Sequence, residues 1–459
     1  MLDELKYDIL IIGGGPAGSS LAYFLSRKNM YRIALVEGKP WKDVWGKPCG
    51  NAIGAHHFAE RGLVEPPSEA IKQVVNGVEI YSPREDVVLR AYGKGFIIDR
   101  TRFGQYLLKA SMDKGVEVFL SSHAKKLLIE NNEVVGAQAV IDGREKIIHA
   151  KIVVDATGAV SPLRKQLPPH LPVAGHLDPR DSDLAFREIL EIGQDIERPD
   201  FIRIYLDQNV APGGYWWYFP EGRNQVNLGL GVQNGVNNPD PRTLYRKFLL
   251  ARKDVQPVLK VISSAGAIVP TRRPLDSLVW NRYIVIGDAA FTVNPVHGGG
   301  MGYAIESAYC SSLAIDQAFE KNDFTVNGLW ETNTCYMPII GAKQASLEVV
   351  RYFLQKLSNE ELQFIMEKKI VSEEDVDILS RKAELKSDVI ANIQCALSDL
   401  GKLFRGLRKP SLLMKLKKLS DYMEEMKKLY RNYPSTPNGL DAWRERVKAL
   451  IESYRREFE

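Results

Sequence analysis

Residues 7–20 read YDILIIGGGPAGSS. The stretch is apolar up to Ile12, breaks into three glycines, and continues in small and apolar residues to about Asn29. A short apolar run bounded by glycine has the pattern of a buried strand, and the part beyond Pro16 reads as a helix. RIALVE at 32–37 supplies a second strand. Strand, glycine turn, helix and strand form a β-α-β unit, which calls for a parallel sheet covered by helices. Gly13, Gly15 and Gly18 have the GxGxxG spacing. The first glycine permits the tight turn, the second lets the backbone approach a pyrophosphate, and the third lets helix and strand pack closely. The helix start at Pro16 and Ala17 offers amide donors and the positive end of a dipole to phosphate. Glu37 ends the second strand, where a carboxylate suits a ribose diol and would repel a 2′-phosphate.

Outward from this unit, residues 74–98 alternate like antiparallel strands, a helix is expected near 101–114, and short strands follow up to 154. Residues 181–232 read as a second antiparallel run, YIVIG at 283–287 returns to the buried-strand pattern, and from about Gly300 nearly all is helix. The order predicts an α/β protein with α+β insertions. A discontinuous Rossmann-like nucleotide domain is expected over 1–72, 99–180 and 270–320. A sheet domain for substrate is expected over 73–98 and 181–269, and a helical C-terminal domain over 321–459.

The length of 459 residues exceeds one ordinary core, and 45% hydrophobic with 26% charged residues is the composition of a soluble globular protein. Net charge is +4, with residues 401–459 carrying 15 Lys/Arg against 8 Asp/Glu. Nothing in this points to nucleic acid. Cys49, Cys310, Cys335 and Cys395 show no CxxC and no metal-type spacing with His, so no metal site is expected. Cys310 and Cys335 suit either a bridge or two buried thiols. No run of about 18 apolar residues is present for a membrane span. The N-terminus leads straight into the glycine turn without a signal-peptide pattern. These features predict a cytoplasmic, monomeric protein.

Two further segments choose between nicotinamide and flavin. VVDATG at 153–158 is a strand running into a small-residue turn, and YIVIGDAAFTVNPVHGGGMGYAIESA at 283–308 is a strand, Gly-Asp, then a glycine-rich turn opening a helix. The arrangement resembles the FAD-dependent p-hydroxybenzoate hydroxylase superfamily. The resemblance implies FAD, with Asp288 on the ribityl chain and Gly299, Gly300 and Met301 facing the flavin pyrimidine. A helix dipole there favours the anionic reduced ring. DRTRFGQYL at 99–107 resembles the superfamily's first-helix motif, whose arginine, here Arg100, contacts FAD. Lys47, Cys49, Gly50, Ala124 and Gly158 are expected at the cofactor by the same resemblance. A single GxGxxG leaves the reductant without a nucleotide domain of its own. The electron donor, a ferredoxin or a reduced nicotinamide, would bind transiently.

PGGYWWYFP at 212–220 contains Pro212, Tyr215, Trp217, Phe219 and Pro220 in the PxxYxWxFP spacing. This motif resembles that of the geranylgeranyl reductases, and WGKPCG at 45–50 resembles the cysteine loop of the archaeal members. The resemblance covers at least residues 1–310. It implies hydrogenation of isolated double bonds in geranylgeranyl chains, either of archaeal ether lipids or of the diphosphate. The residues themselves suit this substrate. In a strand, 215, 217 and 219 share one face and 216 and 218 the other, so one face walls a tunnel while the other joins the core. A long hydrocarbon is held by burial at about 25 cal/mol per Å². Aromatic faces also steady positive charge on a protonated alkene, by roughly 0.5–2 kcal/mol. Tyr215 and Cys49 are the candidate acids, with the reduced flavin itself another, and Tyr215, Trp217, Phe219, Pro220 and His297 are the candidate substrate contacts. For His297, bracing the glycine loop competes with acid catalysis. A monooxygenase of the same superfamily, or a non-catalytic prenyl carrier, are the competing readings.

In residues 412–430, Leu412, Leu416, Leu419, Met423, Met426 and Tyr430 fall on one helix face beside Lys415, Lys417, Lys418, Lys427 and Lys428. Such a helix either lies on anionic lipid, giving peripheral membrane contact, or packs on its own protein with solvated lysines.

Overall fold

The computed structural model describes residues 3–374 and 410–459. Its first half forms β1 (Asp3–Ile12), α1 (Pro16–Ser26), β2 (Ile33–Val36), β3 (Ala52–Gly54), α2 (His56–Ala59), β4 (Ile71–Tyr81), β5 (Val88–Ile98) and α3 (Arg100–Met112). Then come β6 (Glu117–Phe119), β7 (His123–Glu130), β8 (Glu133–Ile141), β9 (Arg144–Asp155), β10 (Ser182–Ile192), β11 (Phe201–Tyr205), β12 (Tyr215–Pro220) and β13 (Gln225–Gln233). The order continues through α4 (Pro241–Leu244), β14 (Val258–Pro270), β15 (Val279–Trp280), β16 (Tyr283–Val285), α5 (Met301–Lys321), α6 (Glu331–Tyr336), α7 (Ala342–Leu354) and α8 (Asn359–Glu367). The last described helices are α9 (Pro410–Arg431) and α10 (Leu440–Phe458).

The first sheet runs β15-β16-β9-β1-β2-β6, with β7 and β8 as an antiparallel extension of β9. β1 lies parallel to both β2 and β9. Ile9 to Ile12 and Ile33 to Val36 are all buried. Helices cover this sheet, so its strands are apolar without alternation. α1 packs between α5 and α3. Pro16 begins α1, and the chain turns back through Asn29 in the left-handed region, ending the helix at Ser26 rather than near Asn29.

The second sheet runs β14-β10-β13-β12-β11-β4-β5-β3 and is antiparallel except for the β4–β11 pair. β3, expected inside the nucleotide-binding part, instead hydrogen-bonds to β5 at the sheet edge. Three residues are too short to show a period, which hides such a strand in the sequence. Trp216 and Tyr218 bury on the outer face, where Trp216 stacks on Tyr205 with ring centroids 3.6 Å apart.

Two elements tie the C-terminal helices to the rest. A disulfide joins Cys310 in α5 to Cys335 in α6. α9 lies along α7, and all six apolar residues of its predicted stripe are buried. This decides between the two readings of that helix, and the membrane-facing one is overturned. α7 and α10 already cover the face a bilayer would have taken. No helix among the described residues is long and apolar enough to cross a membrane. Residues 375–409, part of the expected helical domain and including Cys395, lie outside the described residues.

Candidate functional site

The first glycine turn is built as the spacing requires. Gly13 has φ +105, and a Cβ there would sit 2.3 Å from the Ala156 carbonyl oxygen. A Cβ on Gly18 would meet the Gly13 carbonyl at 1.9 Å, so Gly18 serves helix–strand contact and stays off the cavity wall. At Gly15 a Cβ would meet nothing within 4 Å, because the start of α1 opens onto the cavity. Glu37 accepts the Gly14 amide at 2.6 Å through Oε2 and the Lys39 amide at 2.8 Å through Oε1. A carboxylate has about four acceptor positions, so capacity for a diol remains.

The second turn faces the first. Gly287, at φ +64, lies against Ala17, and Asp288 takes a 2.8 Å salt bridge from Lys47. A Cβ on Gly300 would be 3.0 Å from Asp288 Oδ1, so the Gly-Asp turn and the start of α5 meet at one place. Gly300 caps α5 without a side-chain partner for the first amides, leaving donors at a dipole end beside the cavity. Arg100 donates to the Lys47 carbonyl at 2.5 Å, while its Nε is buried without an acceptor among the described residues. Pro16, Ala17, Cys49, Gly50, Ala124, Gly158, Gly299 and Met301 line the same space. The open cradle at Gly15, the unpartnered Arg100 Nε and the uncapped α5 all suit FAD. The turn at 13–18 with Glu37 would hold the ADP half, and Asp288 with 299–301 the flavin half.

This space continues into a cavity of about 1880 Å³. Ordinary ligand sites occupy about 300–1,000 Å³, so cofactor and a long chain fit together. Its floor is the inner face of the second sheet. Alternate residues from β10 (Asp183, Ala185, Arg187), β11 (Ile202, Ile204), β12 (Tyr215, Trp217, Phe219) and β14 (Ala265, Ala267, Val269) point into it. Pro220 does not, since it shares the parity of 216 and 218 and is buried away from the cavity. Gly229 and Gly231 are the β13 rungs beneath Trp217 and Tyr215. Trp217 Cζ2 would lie 2.4 Å from a Cβ at 229. The roof is helical, with Ile340, Leu347, Val350, Phe353 and Leu354 from around α7, and Leu416 and Leu419 from α9.

Cys49 is an unbridged thiol on the cavity wall, its carbonyl accepting from Asn227 at 2.9 Å. The next residue, Gly50, lies against Phe219, where a Cβ would be 2.7 Å from the ring. Tyr215 donates its hydroxyl to the His297 carbonyl at 2.6 Å, and burial pushes its pKa above the ordinary tyrosine value. A phenol held in this way gives up its proton reluctantly. His297 Nδ1 accepts the Gly299 amide at 3.1 Å, and burial together with Lys343 lowers its pKa to about 4. Its ring is therefore neutral and braces the glycine loop.

The sequence reading missed several polar groups on this wall. Asp183 and Arg187 share the inward face of β10; alternation through SDLAFRE puts them on one face without saying that this face is inward. Lys343, at the start of α7, has no carboxylate or other acceptor within bonding distance among the described residues, and burial lowers its pKa to about 8. Lys427 and Arg431 of α9 line the same end. Glu60 and Glu306 also face Lys343 and partly offset the effect of burial, while Lys427 opposes its charge. No sequence period links 343 to 427, so only the fold assembles this cationic end.

Comparisons with known proteins agree with this architecture. The family model described as geranylgeranyl reductase catalytic domain matches residues 181–269, and that of pyridine nucleotide-disulphide oxidoreductase matches residues 7–177. The second match covers the single nucleotide-binding unit. The chain is 45% identical over 457 residues to the digeranylgeranylglycerophospholipid reductase of Sulfolobus acidocaldarius, covering 99% of each. It is 26% identical over 389 residues to the protein of that name from Methanothrix thermoacetophila, covering 83% of this chain and 95% of the relative. A solved geranylgeranyl bacteriochlorophyll reductase-like protein from Thermoplasma acidophilum superposes with TM-score 0.76 at 23% identity, over 85% of this chain and 99% of that one. A myxobacterial FAD-dependent chondrochloren halogenase superposes at 0.64 and 19% identity, over 83% and 93%. The two structures show a shared fold.

Proposed function

We propose, from the premise that this chain belongs to the digeranylgeranylglycerophospholipid reductase family, that it hydrogenates the isolated double bonds of geranylgeranyl chains carried on an anionic headgroup. The chain is an FAD-dependent oxidoreductase of geranylgeranyl lipids. The observation that carries the finer reading is the cavity. One apolar space joins the dinucleotide cradle, an aromatic sheet floor and a cationic end at Lys343, Lys427 and Arg431.

When bound and reduced, FAD supplies a hydride equivalent at the flavin. The chain's own residues supply the setting. The inner face of the second sheet and the α7–α9 roof exclude water and hold hydrocarbon by burial. Trp217 and Phe219 offer aromatic faces toward positive charge on the reacting carbon. Tyr215 and His297 fix the glycine loop before α5 through their hydrogen bond. Gly50 brings the loop against Phe219, and Cys49 on the cavity wall would lie beside the flavin ring as the cysteine-loop resemblance implies. Lys343, close enough to His297 to lower its pKa, is the cation we assign to a phosphate, which both a phospholipid and a diphosphate present.

Anaerobic incubation of dithionite-reduced protein with unsaturated phospholipid and with geranylgeranyl diphosphate tests this. The expected result is a mass gain of two per double bond reduced, and the ratio of rates identifies the preferred headgroup. An oxygen-dependent, hydroxylated product would instead establish a monooxygenase.

A further inference from the structure

The cavity wall holds a carboxyl that none of the functions described above employs. Asp183 lies on the inward face of β10, with Tyr215 of β12 and Gly231 of β13 beside it and Val269 as its β14 partner. Its Oδ1 is shielded from solvent and meets no donor among the described residues. A Cβ at 231 would be 3.8 Å from Oδ2, so the glycine keeps the space beside the carboxyl open.

Asp181, two residues earlier, has the opposite environment. Against the pull of burial, Arg351 at 2.8 Å and Arg455 at 2.9 Å hold its pKa down to about 2. Arg351 also faces Asp183, but its guanidinium bonds Asp181. Burial therefore raises the Asp183 pKa to about 7, only partly offset by Arg351. The charged and titratable groups facing it are Arg351 from α7 and Tyr215 from β12, while β13 and β14 present Gly231 and Val269. One carboxylate is thus fixed as a structural anion, while burial favours the protonated form of its neighbour in an apolar cavity. Two carboxyls whose environments drive them apart in this way mark an acid assignment.

We propose that Asp183 is the catalytic acid that protonates the alkene. The step rests on the reductase reading above. The Asp183 O–H bond breaks, and its proton forms a C–H bond at the less substituted alkene carbon using the π electrons. The tertiary carbon becomes cationic and takes the hydride that the reduced cofactor supplies, so the alkene gains one proton and one hydride. The Asp183 carboxylate then regains a proton from solvent before the next turnover. A neutral carboxylic acid serves this role because an isolated alkene is a weak base, and the apolar wall keeps water from competing for the proton. Tyr215, whose proton is engaged by the His297 carbonyl, flanks the acid and leaves it as the proton source.

Asp183→Asn keeps the shape and removes the acid. It should bind FAD and be reduced by dithionite as the wild type is. Oxidation of the reduced protein by a geranylgeranyl chain in a single turnover should slow by about 100-fold or more. A rate within threefold of wild type overturns the proposal. In FAD-free protein, the infrared difference between wild type and Asp183→Asn should show a protonated carboxyl band that disappears with a midpoint near pH 7, and absence of that band at pH 6 also overturns it. The wild-type single-turnover rate should fall above about pH 7, and a flat profile from pH 5.5 to 8.5 refutes the assignment even where the variant fails to fold. A wild type that reduces no geranylgeranyl chain at all defeats the reductase reading instead, which separates the two failures.

Discussion

Gly229→Ala tests whether the aromatic floor is the hydrocarbon site. The new Cβ would lie 2.4 Å from Trp217 Cζ2, 2.6 Å from Arg187 Cβ and 2.7 Å from the Phe186 carbonyl oxygen. Ordinary carbon contacts need about 3.5–4.0 Å, so roughly 1 Å must be found. Residues 186 and 187 are fixed in the β10–β13 ladder, where Arg187 pairs with Gly229. The Trp217 ring edge therefore moves toward the cavity, and the other two contacts require the β13 backbone at residue 229 to shift as well. Overpacking of this kind costs about 1–3 kcal/mol of stability. A ring advanced by about 1 Å removes room for about two methylene groups, at about 0.8 kcal/mol each. The sum of about 1.6 kcal/mol corresponds to a fall of more than about tenfold in kcat/KM for a C20 chain. A C10 chain, which leaves space unused, should lose less. The assay pairs denaturant midpoints with anaerobic turnover of C10 and C20 substrates. A variant that is destabilised yet reduces both chains at wild-type rates would refute the placement of the chain over Trp217.

Asp183→Asn also carries a stability signature. The Asp183 pKa rises on folding from 3.8 to about 7, so the stability linked to its protonated form is complete below pH 3.8 and lost as pH rises through 7. Relative to wild type, the asparagine variant should gain up to about 4 kcal/mol between pH 4 and 8, and a gain that does not vary with pH would contradict the burial argument. Removing the Cys310–Cys335 bridge by a double serine substitution opens a link across 25 residues and should cost about 3.5 kcal/mol, seen as a lower denaturant midpoint that reductant no longer affects. Lys343→Gln should raise KM about tenfold for substrates with a phosphate head, a change of about 1.4 kcal/mol, and leave geranylgeraniol unaffected; equal effects on both would remove the headgroup role. Cys49→Ser should slow turnover while FAD binding persists, and full turnover would take the thiol out of the reaction.

The nucleotide cradle was legible in the sequence because its chemistry is local. Gly13, Gly15, Gly18 and Glu37 lie within one β-α-β unit, and backbone geometry alone demands those residue types. The alternation of Tyr215, Trp217 and Phe219 was legible for the same reason. It also shows why Pro220 was misplaced, since a motif was followed one residue past the parity that governs it. The cationic end was hidden because Lys343 and Lys427 sit on different helices and meet only through helix packing. The lysine-rich face of α9 was read as a membrane surface or a solvated one, and only the burial of Met423, Met426 and Tyr430 decides between them. Asp183 went unnoticed because nothing in SDLAFRE says which face of the strand is hollow.

The helix that completes the roof is the last part of the wall to be synthesised. Trp217 leaves the ribosome about 200 residues before Leu416, which at about 5–20 residues per second is a delay of roughly 10–40 s. Until that helix arrives the aromatic sheet face has at most the α7 part of its cover, while the glycine turn and Glu37 at the front of the chain are already made. The nascent protein is thus most vulnerable to self-association over the surface that later holds its substrate.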